Sequence, residues 1–117
     1  MEIGGDRAQL LIKLMSATAL RDRWISTNIA SQDVPGYKRR DVRFEELLHE
    51  KIARQEPDLL AVKPEVTIDN SSGGGPEGNN VNLELETTKA RENRLMFELY
   101  AAIFQNRMDM IGSAIKG

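Results

Sequence analysis

Residues 28–48 read NIASQDVPGYKRRDVRFEELL. A Pro-Gly pair, a tyrosine and four basic residues stand here between two helical patterns. Proline biases the residue before it away from helix, and Pro-Gly favours a type II turn. Gly36 would take positive φ at the third position of that turn. The stretch therefore stops one helix and redirects the chain before the next begins.

Upstream, the pattern is helical. On a 100° wheel, Leu10, Leu11, Leu14, Ala17, Thr18, Trp24, Ile25 and Ile29 share one broad face. Lys13, Ser16, Arg23, Ser26 and Thr27 lie on the other. This periodicity predicts a helix from about residue 7 to 32, with Asp6 as its cap and Gln9 completing a capping box. Arg21 and Asn28 interrupt the apolar face. They either lie at its edge with their polar ends in water, or bond to another chain.

Downstream, Asp41 is expected to cap a short second helix with Phe44, Leu47, Leu48 and Ile52 on its apolar side. The chain then changes character. Residues 57–81 hold three of the four prolines and the run GGGPEG, and only Val66-Thr67-Ile68 alternates like a strand. An extended segment and a flexible loop are predicted there.

Asn82 is a plausible cap for a last helix over about 83–115, with Glu84 and Glu86 well placed in its first turns. This helix carries two apolar stripes. Leu95, Leu99, Ala102, Ile103 and Met110 form one; Phe97, Tyr100, Phe104, Met108, Ile111 and Ile115 form the other. One is expected to meet the N-terminal helix and one to meet neighbouring subunits. Leu99 and Ile103 are assigned to the first role, Phe104 and Ile111 to the second. Helices of these spans are roughly 40 and 50 Å long, which makes a thin layer with a single internal seam. Large exposed apolar patches mark interfaces. The alternative is that residues 57–80 fold back over the second stripe, although they offer few large apolar side chains.

The fold class that follows is mainly α. Long N- and C-terminal helices pair as a hairpin or coiled coil, and a short helix and a small extended or β segment lie between them. The expected division is 1–34 with 82–117 as the helical core, 35–56 as turn and short helix, and 57–81 as extended segment and loop.

The chemistry of catalysis is hard to find. There is no cysteine, which excludes disulfides, thiolate metal sites and Cys nucleophiles. His49 is the only histidine and falls on the polar side of a short helix, a poor start for a metal site. Ser71 and Ser72 have no base nearby in sequence. Gly73 to Gly78 spans G-x-x-x-x-G, but Asn79 and Asn80 follow where a phosphate loop needs Lys and Ser or Thr. No catalytic, cofactor or metal site is assigned. The net charge of −2 argues against a nucleic-acid binder. The basic cluster YKRRDVR fits a solvated turn, or a patch facing an acidic partner, better than a phosphate contact. The N-terminus lacks the features of a cleaved signal, and no apolar run is long enough to span a bilayer.

The opening stretch resembles the N-terminal signature of bacterial flagellar rod and hook proteins. The matching residues are Asn28, Ile29, Ala30, Pro35, Gly36, Tyr37, Lys38 and Arg39, with Ser31 in place of the usual Asn and Val34 in place of Thr. The second half of the signature is matched at Gly78, Asn79, Asn80, Val81 and Leu83, with Asn82 for Asp. Asn93 and the final Ala-Ile-Lys-Gly also fit, and the short length is that of the proximal-rod members. The resemblance implies paired terminal helices stacked helically with other copies and with other rod proteins, above a basal adaptor. It implies export through the flagellar type III apparatus without signal cleavage, a periplasmic location in the basal body, and no cofactor, nucleic acid or membrane insertion. The interface and motif residues it implies, together with the helix faces, are Arg21, Asn28, Ile29, Pro35, Gly36, Tyr37, Lys38, Arg39, Phe44, Leu99, Ile103, Phe104, Met108, Ile111 and Ile115. A different class of protein, a helical-hairpin adaptor for a cytoplasmic regulatory partner, would share the fold.

Overall fold

The computed structural model describes residues 5–71 and 77–116. The first helix, α1, spans Gly5–Ala30. The broad apolar face read from the sequence is the one that turns inward, with Ala17, Thr18, Ile25 and Asn28 buried. Asp6 lies inside the first turn of α1 and is not its cap. The helix stops two residues earlier than expected. Ser31 and Gln32 continue as turns, closed by bonds to the carbonyls of Thr27 and Ile29 at 3.0 and 3.2 Å. The next turn, Val34 to Tyr37, closes at 3.2 Å with Gly36 at φ +76°. That is the left-handed conformation a type II turn demands at its third position.

Strand β1 follows at Arg40–Arg43, and helix α2 at Glu45–Ala53. The expected cap at Asp41 is therefore corrected. Asp41 lies in the strand, and Phe44 holds the position before α2 with no side-chain cap. The reason is burial with period two. Val42 and Phe44 both point inward at 5% and 0% exposure, a strand pattern that a helix cannot produce. Ile52, expected on the apolar side of α2, is exposed.

Residues 57–71 are more ordered than an extended tail. A single 3-10 turn, Leu59–Ala61, brings Leu59 and Val62 onto the core. Strand β2, Glu65–Ile68, then pairs antiparallel with β1, Val42 opposite Val66. Leu10, Leu14, Ala17, Phe44, Leu48, Leu59 and Val62 make the small apolar core. This core sits beside α1 and α2, so the 3-10 turn does not cover the second stripe of the last helix. The Gly-rich loop expected at 73–78 falls largely on residues 72–76, outside the described residues.

The last helix, α3, spans Leu83–Lys116. Its N-terminus is capped as expected, with the Leu85 N–H donating to Asn82 Oδ1 at 3.1 Å. It packs along α1 as the second arm of an antiparallel hairpin, Asn28 lying against Glu86 and Thr18 against Asn93. The molecule measures 64 × 29 × 15 Å. A body this thin buries little of its apolar surface.

Candidate functional site

The connected end of the hairpin, where α1 ends and α3 begins, is closed by a knot of polar side chains. Arg39 is its centre and is only 2% exposed. Its guanidinium bonds to Glu86, to Asp41 at 2.7 Å and to Asp69 at 2.9 Å. Burial disfavours its charge, but the three carboxylates outweigh that and hold the group firmly protonated, its pKa raised. Asp69 is pushed down to about 2, by the Ser71 hydroxyl and N–H first and by Arg39 next.

Asn28 completes the knot and is wholly buried. Its Nδ2 donates to the Arg40 carbonyl at 3.0 Å and to Glu86 at 3.3 Å. Its Oδ1 accepts from the Arg40 N–H at 3.0 Å and from the Tyr37 hydroxyl at 2.8 Å. Arg21 donates to the Val42 carbonyl at 3.2 Å. These bonds run along the edge of β1 that faces away from β2. Side chains of α1 thus satisfy backbone groups that a third strand would otherwise take.

The two halves of the signature meet in this knot. The Arg39 N–H donates to Asn80 Oδ1 at 2.7 Å, and the Asn80 N–H to the Tyr37 carbonyl at 3.4 Å. Asn79 Nδ2 donates to the carbonyls of Ser31 and Val34 at 2.9 and 2.8 Å. Lys38 donates to the Gly78 carbonyl, and Gly36 N–H to that of Glu77 at 2.8 Å. The substitutions Ser31 and Val34 are absorbed because Asn79 reads only their main chain.

A second polar rung lies seven residues along each helix. Arg21 pairs with Glu45 at 2.6 Å and donates to Asn93 Oδ1 at 3.1 Å, while Asn93 donates to the Thr18 carbonyl at 2.7 Å. The Tyr100 hydroxyl donates to Glu45 at 3.2 Å. Burial works against the Glu45 charge, yet Arg21 and its other bonds hold its pKa below the usual range. Burial, with Glu45 alongside, pushes Tyr100 up to about 12.

Two expectations are corrected here. Arg21 and Asn28 do not end in water at the edge of a stripe, because both find hydrogen-bond partners inside the chain. The basic cluster also faces acids within the chain. Besides Arg39, Arg43 lies 3.4 Å from Glu50, and Arg40 stacks over Trp24 at 5.3 Å. A buried or paired cation has little left for phosphate.

The face of α3 that docks on α1 is not the one expected. Glu86, Asn93 and Tyr100, spaced by seven, are the buried residues of α3. Phe104, Met108 and Ile111 continue that face and are half-buried. Leu99 and Ile103 are 52% and 45% exposed, beside Leu95 and Met110 at 65% each. Apolar content alone favours neither face; the polar partners decide. Ile115 is exposed near the end of α3, Phe44 is in the core, Ile29 is half-buried, and Pro35 and Gly36 are at the surface. Sequence reasoning missed Glu45, Asp69 and Glu86 as partners. The signal was there in the seven-residue spacing of Arg21 and Asn28, matched by that of Glu86 and Asn93.

Together, fold and knot define a helical-hairpin protein whose outer β-ribbon is strapped to its connected end and whose long arm keeps an apolar row outside. Among curated proteins the chain is similar to the flagellar basal body rod protein FlgB of Borrelia hermsii, with 26% identity over 89% of this chain and 91% of that protein. The FlgB of Borreliella burgdorferi is 24% identical over the same shares, and that of Bacillus subtilis 21% identical over 100% of this chain and 98% of that protein. No family model matches the chain. These FlgB proteins share 21–26% identity with the chain over 89% or more of its length.

Proposed function

We propose that this protein is a structural subunit of the flagellar basal body, with no enzymatic role. It builds the proximal rod by helical assembly with its own copies and with other rod proteins. In this reading it leaves the cytoplasm through the flagellar type III apparatus without cleavage of a signal, and works in the periplasmic part of the axis. The observation that carries the reading is the exposed apolar row of α3. Leu95, Leu99, Ile103 and Met110 stand in solvent along one side of the helix, and an open groove of ≈ 380 Å³ beside it is lined by Leu10, Leu11 and Leu14 of α1. A monomer in water gains nothing from such a row, whereas a close-packed array covers it. Among the described residues no helix is long and apolar enough to cross a membrane, so lipid is not what covers it by spanning.

The test sets secretion against incorporation. Leu99→Asp and Ile103→Asp place a charge on a face already in water, so the free subunit should fold and be exported as before. An unpaired charge buried in the array is strongly unfavourable, so both variants should be missing from purified basal bodies. Normal incorporation of both would sink the reading of the row as an interface. Absence of the parental protein from basal bodies would favour the cytoplasmic adaptor.

A further inference from the structure

We infer that the buried polar rungs of the seam are a register device: Asn93 and Glu86 choose which of two competing faces of α3 docks on α1, and so keep the other face free. The competing faces are one residue apart throughout. The docked face carries Glu86, Asn93, Tyr100, Phe104, Met108 and Ile111. Stepping each back by one gives Leu85, Glu92, Leu99, Ile103, Arg107 and Met110. One residue is a turn of roughly 100° about the helix axis. A rotation of that size, or a slip of one residue, would present the second set to α1.

The two sets are matched in apolar content. The second offers four aliphatic or thioether side chains, all of them at least 44% exposed as the molecule stands. The docked set also offers four apolar side chains, Tyr100, Phe104, Met108 and Ile111, and each set has two polar ones. Burial of apolar area therefore does not select the observed face. The bonds that exist only in the observed face do. These are Asn93 to the Thr18 carbonyl, Arg21 to Asn93, and Glu86 to Asn28 and Arg39. Rotation would strand a 2% exposed guanidinium and a wholly buried Asn28 without their carboxylate. Stranding buried polar groups costs far more than the difference between two apolar faces. A polar residue within a helix seam is a known means of fixing register at some cost in stability.

The absence of native cysteine makes the inference testable by thiol labelling in the free subunit. The outcome there does not depend on whether the protein is a rod component. Ile103→Cys and Phe104→Cys are introduced singly as reporters on the two faces. With the seam intact, Ile103→Cys should react roughly tenfold faster, since labelling of a covered site waits on local opening. Adding Asn93→Leu should draw the two rates together while helix content, followed by circular dichroism, is kept. Adding Leu99→Asn to Asn93→Leu makes the competing face polar and should restore the difference. An unchanged rate ratio with Asn93→Leu in a folded subunit would overturn the inference. So would failure of Leu99→Asn to restore it. If Asn93→Leu unfolds the chain, Asn93→Met is read in its place by the same criteria.

Discussion

Glu86 is wholly buried, and its carboxylate is shared by Arg39 and Asn28. Removing it leaves a buried guanidinium with its two remaining partners at the rim and leaves Asn28 short of an acceptor. Breaking one member of a buried pair is worth about 3–5 kcal/mol. Glu86→Ala should therefore lower the midpoint of urea unfolding sharply. Arg39→Met combined with Glu86→Leu, which removes both charges, should cost much less than the sum of the single changes. Additive losses would mean that the pair is not coupled.

Tyr100 gives a pH-dependent signature. Its folded pKa of about 12 lies above the ordinary 10.0, so folding favours the neutral phenol. That contribution is fully present below pH 10 and is lost as pH rises through about 12. Ultraviolet titration of the native protein should show one tyrosine ionising late. Glu45→Gln removes one of the causes and should move that tyrosine back toward its usual range. On the acid side the sign reverses. Asp69, at about 2 against an ordinary 3.8, supports the fold above pH 3.8 and loses that support as pH falls through about 2.

Between elements, the joint at Gly36 turns on one dihedral. A Cβ built there meets nothing within 4 Å, so space is no obstacle, but φ is +76°. An L-residue in that conformation costs about 1–2 kcal/mol, and a β-branched one is worse. Gly36→Val should destabilise the subunit in urea by about that amount, and Gly36→Asn by less, because Asn tolerates the left-handed region. Equal stability of the two would remove the conformational argument. At this scale the sequence was readable where physics is local. The Pro35-Gly36 turn, the inward face of α1 and the Asn82 cap all follow from neighbours in the chain. Strand β1 was not readable. Its residues RDVR look like a capped helix start, and the strand exists because Asn28 and Arg21 hold its outer edge from another element. The faces of α3 were unreadable for a similar reason. Both are apolar, and the choice rests on partners in α1 and β1 far away in sequence.

Over the whole molecule, stability should be uneven. The knot and the core of Ala17, Phe44 and Leu48 lie toward one side, while the C-terminal part of α3 holds only half-buried residues against the start of α1. Native-state hydrogen exchange should therefore show the strongest protection around residues 17–28 and 86–100. It should weaken steadily toward residue 116, where Ile115 is 72% exposed. Uniform protection along α3 in a proven monomer would contradict this.

The knot also sets an order in time. Asn28 and Glu86 stand 58 positions apart, and Arg39 and Glu86 47. The fold closes through contacts between segments far apart in the chain, which are slow to form. A chain delivered N-terminus first, from a ribosome or through a narrow conduit, presents α1 and the β1 signature long before their counterparts arrive. Until residue 86 emerges, Arg39 has no buried carboxylate to meet and Asn28 no acceptor in α3. The molecule is thus incapable of early closure: its last third is the key to a lock made by its first. A subunit truncated before Glu86 would stay unfastened at any concentration, and one arriving whole would fasten in a single late step.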